Sequence, residues 1–349
     1  MASVALDTSS VASRKAVGIW LLCVALVIVA MVVVGGLTRL TGSGLSITEW
    51  KPVTGVVPPL TQSAWEDEFA GYRRIPQYKL ENRGMTLPQF KAIYWWEWTH
   101  RFLGRFLGFA FLVPFLWFVW RGAIGRRDIP RMVLLFVLGG MQGVVGWWMV
   151  ASGLETRVSV SQYRLAAHLG VAIILLGAMI WIGLEYLRGM NRHKQAAGSA
   201  FALVGLVYVQ MLLGALVAGL HAGLIYNTWP SMDGRVLPEG AFFSSPWWIN
   251  FFENAGLAQF DHRIGAYIIA LSVAAIWIAG RKLSGWARAT QHLLLGLTAV
   301  QIVLGILTLL NQAPLALSAL HQTTAAALFC AAVWHAFEVR FRDQPAFSA

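Results

Sequence analysis

Eight stretches of this chain are apolar over about 20 residues each, the length a helix needs to cross a bilayer core. They lie near 17–37, 93–120, 132–150, 163–187, 200–220, 259–279, 291–310 and 316–338. Lipid offers backbone N–H and C=O groups no hydrogen-bond partner, so a spanning run has to satisfy them within itself, as a helix does. The composition agrees: 57% of the 349 residues are hydrophobic and 12% charged, about half the charged share of a soluble domain. That excludes an ordinary cytosolic enzyme and a disordered chain. Cys23 and Cys330 both fall inside apolar runs, so neither a disulfide framework nor a thiolate metal site is on offer. The fold class predicted is an all-α integral membrane protein with eight transmembrane helices.

A short Ser-rich leader precedes the first run. It is too short and too poor in Arg for a mitochondrial transit peptide, and no small-residue cleavage site follows, so the first run reads as a retained helix. The formal net charge is +11, but placement matters more than number. Arg14, Lys15, Arg121, Arg126, Arg127, Arg131, Arg188, Arg192, Lys194, Arg281, Lys282, Arg288, Arg340 and Arg342 all fall in loops on one side. The long opposite segment from about 38 to 90 balances its basic residues with Glu49, Glu66, Asp67, Glu68 and Glu81. Both termini are therefore expected inside, and the surplus is a topology signal rather than a nucleic-acid site.

The chain also repeats itself. Glu97-Trp98-Thr99-His100-Arg101 on the second helix matches Gln259-Phe260-Asp261-His262-Arg263 on the sixth. Leu165-Ala166-Ala167-His168 on the fourth matches Leu317-Ser318-Ala319-Leu320-His321 on the eighth. The odd helices carry a tag of their own: MVVVG at 31–35, QGVVG at 142–146, QMLLG at 210–214 and QIVLG at 301–305. Four helices per copy is an even number, so two copies share an orientation and relate by an axis along the membrane normal. The expectation is two tandem, parallel-related four-helix bundles, 1–190 and 191–349, with the boundary in the loop near 188–199.

Of eight histidines, His193 and His292 read as solvated, His335 as interfacial, and His221 as the outer end of helix 5. The other four, His100, His168, His262 and His321, lie on even helices, each expected within about two turns of the outer end. An ionisable group in a span is costly and usually faces a bundle interior with a partner. Four at one depth, paired by an internal repeat, point to ligation. Zinc wants three or four converging ligands; two imidazoles per bundle suit a haem, one on each axial position.

Gly104, Gly108 and Gly170 follow these histidines, and either a flat macrocycle or ordinary small-residue helix packing accounts for them. Glu97 shares a helix face with His100, and its match is Gln259. A carboxylate in one half only suggests a proton acceptor or charge-stabilising group; the alternative is an anchor pairing with Arg101 or Lys91. Arg101 and Arg263 stand one residue from a histidine, placed either for haem propionates or for lipid headgroups.

These residues resemble the haem A synthase family of bacterial and mitochondrial inner membranes. The resemblance rests on GGLTRLTGSGLSITEWKPVTGVVPPL at 35–60, IYWWEWTHRFLGR at 93–105, MQGVVGWWMVASGL at 141–154, GLHAGLIYNTWPSMDGR at 219–235, PWWINFFEN at 246–254 and FDHRIGAY at 260–267. It implies an enzyme that oxidises the C8 methyl of haem O to the formyl of haem A by successive hydroxylations. It further implies that His100 and His168 flank haem O, that Glu97 is the catalytic carboxylate, and that His262 and His321 hold a permanent haem B. Some members carry a cysteine pair in an outer loop; this chain has none there and resembles the subgroup without it. Hand-over from the haem O-producing farnesyltransferase, and onward to oxidase assembly factors, follows from the resemblance, which leaves a homo-oligomer open. The competing readings are a di-haem cytochrome b drawing electrons from quinol, which gives Glu97 no task, and a transporter with a histidine proton relay, which predicts broken helices near the midplane.

Overall fold

The computed structural model describes residues 8–188 and 193–342. Its eight long helices are α1 Thr8–Leu40, α2 Leu87–Trp120, α3 Ile129–Leu154, α4 Gln162–Arg188, α5 Gly198–Gly219, α6 Ala255–Ala279, α7 Gly285–Leu310 and α8 Leu315–Arg340. All eight are long and apolar enough to cross a membrane. The first seven leader residues, Arg192 and the expected boundary at 190/191 lie outside the described residues, as do the side chains of His193, Lys194 and Arg342. Apart from the helices, His193–Lys194 and Phe341–Arg342 form a two-residue antiparallel pairing. It ties the α4–α5 connection to the end of α8, where Gln195 N donates to Arg340 O at 2.8 Å.

Local chemistry sets the helix starts. Thr86 and Gln89 form a capping box ahead of α2, and Pro88 sits in its first turn, where the missing N–H costs nothing. This start lets α2 begin at Leu87, about six residues before its apolar run, so the helix projects beyond the span. Pro130 opens α3 in the same way, and Pro314 precedes α8.

Burial separates the helices into two classes. In α1 and α4, 39% of the spanning window is buried, and in α5 and α8 33%, against 6–11% in α2, α3, α6 and α7. The first four therefore form the centre, and the rest turn most of their surface outward. Within the first four, α1 packs on α2 and α4, and α3 on α2 and α4; within the second four, α5 packs on α6 and α8, and α7 on α6 and α8. Contacts of α4 with α5 and α8, and of α1 with α8, join the two sets.

Because lipid is as apolar as leucine, these contacts depend on close packing and interhelical hydrogen bonds. A Cβ on Gly18 would stand 2.8 Å from the Gly183 carbonyl, so glycine at both positions is what lets α1 and α4 approach. The hydrogen bonds include Trp20 Nε1 to Ala110 O at 2.9 Å between α1 and α2, and Gln322 to Val32 O between α8 and α1.

The two ends of the molecule differ. At one end Arg131 pairs with Glu185 at 2.6 Å, Tyr186 donates to Asp128 at 2.7 Å, the Arg14 guanidinium lies over the Tyr186 ring, and Arg188 pairs with Glu338. At the other end the 41–86 segment builds a small core of its own. Leu45, Ile47, Trp65, Phe69, Tyr72 and Ile75 pack on Phe90 and Tyr94 of α2 and Val150 of α3. Burial pushes the Tyr72 hydroxyl upward from its ordinary range.

Candidate functional site

The four paired histidines share one local arrangement. Each ring lies against the last glycine of the tag on the preceding, antiparallel helix. A Cβ at Gly35 would stand 2.8 Å from His100 Cε1, one at Gly146 2.9 Å from that of His168, one at Gly305 3.0 Å from that of His321, and one at Gly214 3.2 Å from that of His262. In every case Cε1 is the ring atom nearest the glycine and Nδ1 the next. At Gly35, Gly146 and Gly305 the Nε2 atom follows at 3.5, 3.7 and 3.8 Å, so it is the Cε1 edge of the ring, between the two nitrogens, that meets the odd helix. The tags are legible in the sequence as repeats, yet their function as ring seats emerges only from the packing.

The glutamines that open three of the tags reach the same histidines. Gln142 Nε2 donates to His168 O at 2.8 Å. Gln210 Nε2 donates to His262 O at 2.8 Å and stands 3.1 Å from His262 Nδ1, and Gln301 Nε2 lies 3.4 Å from His321 Nε2. The His262 and His321 rings stand edge-on to one another, with centroids 6.3 Å apart and planes at 74°. Nδ1 of His100, His168 and His321 is buried without a hydrogen-bond partner. His335, by contrast, is a packed structural histidine, 1% exposed and bonded to Thr290 Oγ1 at 3.0 Å. The interfacial reading of His335 is thereby corrected: α7 covers it. His292 is exposed, as expected.

Two further expectations change. His168, His262 and His321 stand within two turns of their helix starts, but His100 is nearly four turns into α2, because the capped start extends that helix beyond the span. Gly170 seats the Tyr208 hydroxyl of α5, 2.9 Å from where its Cβ would be, so it serves helix packing rather than a ring ligand.

Glu97 is 3% exposed. Its Oε2 accepts from Ser46 Oγ and from the Ile47 amide, both at 2.8 Å, and its Oε1 accepts from Arg101 Nε at 3.1 Å and Nη2 at 2.7 Å. The same guanidinium donates to Ile47 O and Glu49 O and lies over the Trp147 ring. In the second half Arg263 Nη2 donates to Gln259 Oε1 at 3.2 Å and Tyr226 O at 3.0 Å, while Gln259 Nε2 donates to Ala222 O at 2.9 Å. Both arginines thus clasp the connection that follows the preceding odd helix, a task that sequence reasoning did not weigh. Loop carbonyls leave no signature that would have found it.

Beside Arg101 and Arg105 is a cavity of about 460 Å³, also lined by Lys51, Glu68 and Tyr94. Arg105 donates to Lys51 O and Pro52 O. Hydrogen bonding to Glu68, and then to Glu49, holds the Lys51 ammonium above its ordinary pKa range. His221, in the left-handed region at φ 52°, takes a 3.1 Å contact from Arg39 Nη2, which joins the far ends of α5 and α1. Burial, helped by the Arg39 charge, lowers its pKa.

A family model described as cytochrome oxidase assembly protein matches residues 18–333. A protein of Parvibaculum lavamentivorans named heme A synthase is 53% identical over 326 residues, covering 93% of this chain and 94% of its own length. A heme A synthase of Rhodopseudomonas palustris is 52% identical over 319 residues, covering 89% and 85%, and one of Bradyrhizobium diazoefficiens is 50% identical over 329 residues, covering 91% and 90%. With this match running through both histidine pairs and the Glu97 segment, the chain belongs to the COX15-CtaA family of cytochrome oxidase assembly proteins.

Proposed function

We propose that the protein is a haem A synthase, an oxidoreductase that converts the C8 methyl of haem O to the formyl of haem A. The names of its relatives support the activity. The observation that carries the residue-level reading is the fourfold seating of a histidine against a tag glycine, two in each half. Two imidazoles that shared one metal, each through a ring nitrogen at about 2 Å, would have their ring centres at most about 6 Å apart. The His262–His321 spacing of 6.3 Å lies at that limit. The unpartnered Nδ1 atoms of His100, His168 and His321 also distinguish those three rings from a packed histidine such as His335.

In this reading His262 and His321 hold haem B, His100 and His168 flank the substrate haem O, and residues 1–190 and 191–349 are tandem bundles. The helix contacts favour that division, since each set of four closes on itself. When bound, haem B supplies an iron-centred redox group. The residues supply position and electrostatics. Glycine seats and glutamine ties orient the imidazoles. Arg101, the Ser46 hydroxyl and the Ile47 amide hold Glu97 in one rotamer, so its charge is in place, at no cost in reorganisation, where positive charge develops on the substrate carbon. The Trp147 ring lies against the Arg101 guanidinium and stacks on Trp50, with centroids 6.0 Å apart.

The basic residues of the Arg14, Arg188 and Arg340 end favour a reading in which both termini are cytoplasmic and the four histidines lie towards the periplasmic side of a bacterial inner membrane. Haem O arrives from its synthase and haem A leaves towards oxidase assembly factors. Extraction of haems from the purified protein, with chromatography and mass detection, tests the assignment. Haem B together with haem O, haem A or a hydroxylated intermediate supports it, and haem B alone from cells that make haem O overturns it.

A further inference from the structure

Three of the four histidines are tied to the preceding helix by a tag glutamine, and the fourth is not. Gln142 and Gln210 each donate to the backbone carbonyl of the histidine they face, at 2.8 Å, and Gln301 contacts its ring. The corresponding residue on α1 is Met31, four before Gly35 as each glutamine is four before its glycine. Its methyl lies 3.6 Å from where a Cβ on Gly104 would be, one turn beyond His100. Met31 thus fills the neighbourhood of the missing tie with a flexible thioether that donates nothing and repacks easily. Among the described residues no side chain of α1 hydrogen-bonds His100. The nearest tie from α1 to α2 is a 3.3 Å bond from Thr38 to Trp96 O, one turn nearer the start of α2.

We propose that His100 is the exchangeable ligand, the one that releases when haem O enters and haem A leaves, and that Met31 makes it so. The inference rests on the reading that His100 and His168 flank the substrate. That half has to bind and discharge a haem in every turnover, whereas the half with His262 and His321 keeps its own. A helix pair pinned by an amide at the height of the ligand resists separation there, and a pair held only by packing around a methionine opens. The asymmetry falls where exchange requires it: His168, on the same substrate, stays pinned by Gln142, so one ligand guides the haem while the other yields.

The test uses the full-length protein, purified in detergent from cells that make haem O. The rate at which its haem O passes to excess apomyoglobin is followed by absorption. Met31→Gln adds the fourth tie and is expected to slow that transfer roughly three- to tenfold. Met31→Leu, which removes the sulfur without adding a donor, is expected to leave it unchanged, and Gln142→Leu to speed it by a similar factor. Transfer from Met31→Gln at the wild-type rate overturns the proposal, and so does an unchanged rate in Gln142→Leu, a variant that adds no group to the core. His100→Ala and His168→Ala separate the two levels. If both retain haem O at the wild-type ratio, the underlying reading falls as well. If they lose it while Met31→Gln exchanges normally, only the role of Met31 falls.

Discussion

Glu97 Oε1 lies 2.7 Å from Arg101 Nη2 in an ion pair whose side chains are 4% and 17% exposed, and in the second half the same i,i+4 geometry joins Gln259 to Arg263. One half clasps its outer connection with a charged pair, the other with an amide. An amide is therefore sufficient for the clasp, and the carboxylate at 97 calls for an explanation beyond loop anchoring.

Glu97→Gln should accordingly fold, keep its haems and lose turnover. Gln259 shows that an amide accepts from the arginine and holds the connection. Removing a preorganised charge costs about 10²–10³ in rate. Haem extraction from the variant should show haem O persisting and haem A reduced to that extent. Normal haem A yield refutes the catalytic assignment.

Arg101→Ala should be worse for stability than Glu97→Gln, because it leaves a buried carboxylate without its cation. Breaking a buried pair from one side costs about 3–5 kcal/mol. Thermal unfolding in detergent should show a marked fall in Tm for Arg101→Ala, partly restored in the Arg101→Ala/Glu97→Gln double variant. Equal Tm values for the single and double variants contradict the account.

Alanine at the tag glycines should lower haem retention in the order of the crowding. The Cβ separations, 2.8 Å at Gly35, 2.9 Å at Gly146, 3.0 Å at Gly305 and 3.2 Å at Gly214, predict the largest loss at Gly35 and the smallest at Gly214. Overpacking of this kind costs roughly 1–3 kcal/mol. Haem-to-protein ratios from pyridine haemochrome spectra read it directly, and four unaffected variants contradict the seating.

His221 sets a pH dependence of known sign. Burial and the Arg39 charge lower its folded pKa below the usual 6.5, so between those two values the unfolded chain binds a proton that the folded chain refuses. Stability from this group is complete above pH 6.5 and is lost as pH falls through the folded pKa. Tm should fall more steeply from pH 7.5 to 5 in the wild type than in His221→Gln. Parallel profiles rule the linkage out.

The spans, the repeat and the four histidines were legible because each depends on spacing along one helix. The distance of His100 from the start of its helix was not, since the start of α2 is decided by Thr86, Pro88 and Gln89 outside the apolar run. Nor were the partners of Arg101 and Arg263. They are loop carbonyls such as Ile47 O and Tyr226 O, 54 and 37 residues away in the chain, and a carbonyl is offered by every residue type.

Hydropathy and periodicity determined that the chain forms eight helices long and apolar enough to cross a membrane, because lipid forces a span to satisfy its own backbone within a helix. Repetition along the chain determined that four histidines stand at matched positions in its two halves. Only the tertiary structure decided which glycine receives which ring, that His335 is covered while His100, His168 and His321 keep a buried Nδ1 unpartnered among the described residues, and that Met31 stands where a tie is missing. Interhelical contacts of this kind turn on approach distances of a few tenths of an ångström between residues far apart in sequence. Composition and spacing along a single helix carry no record of them.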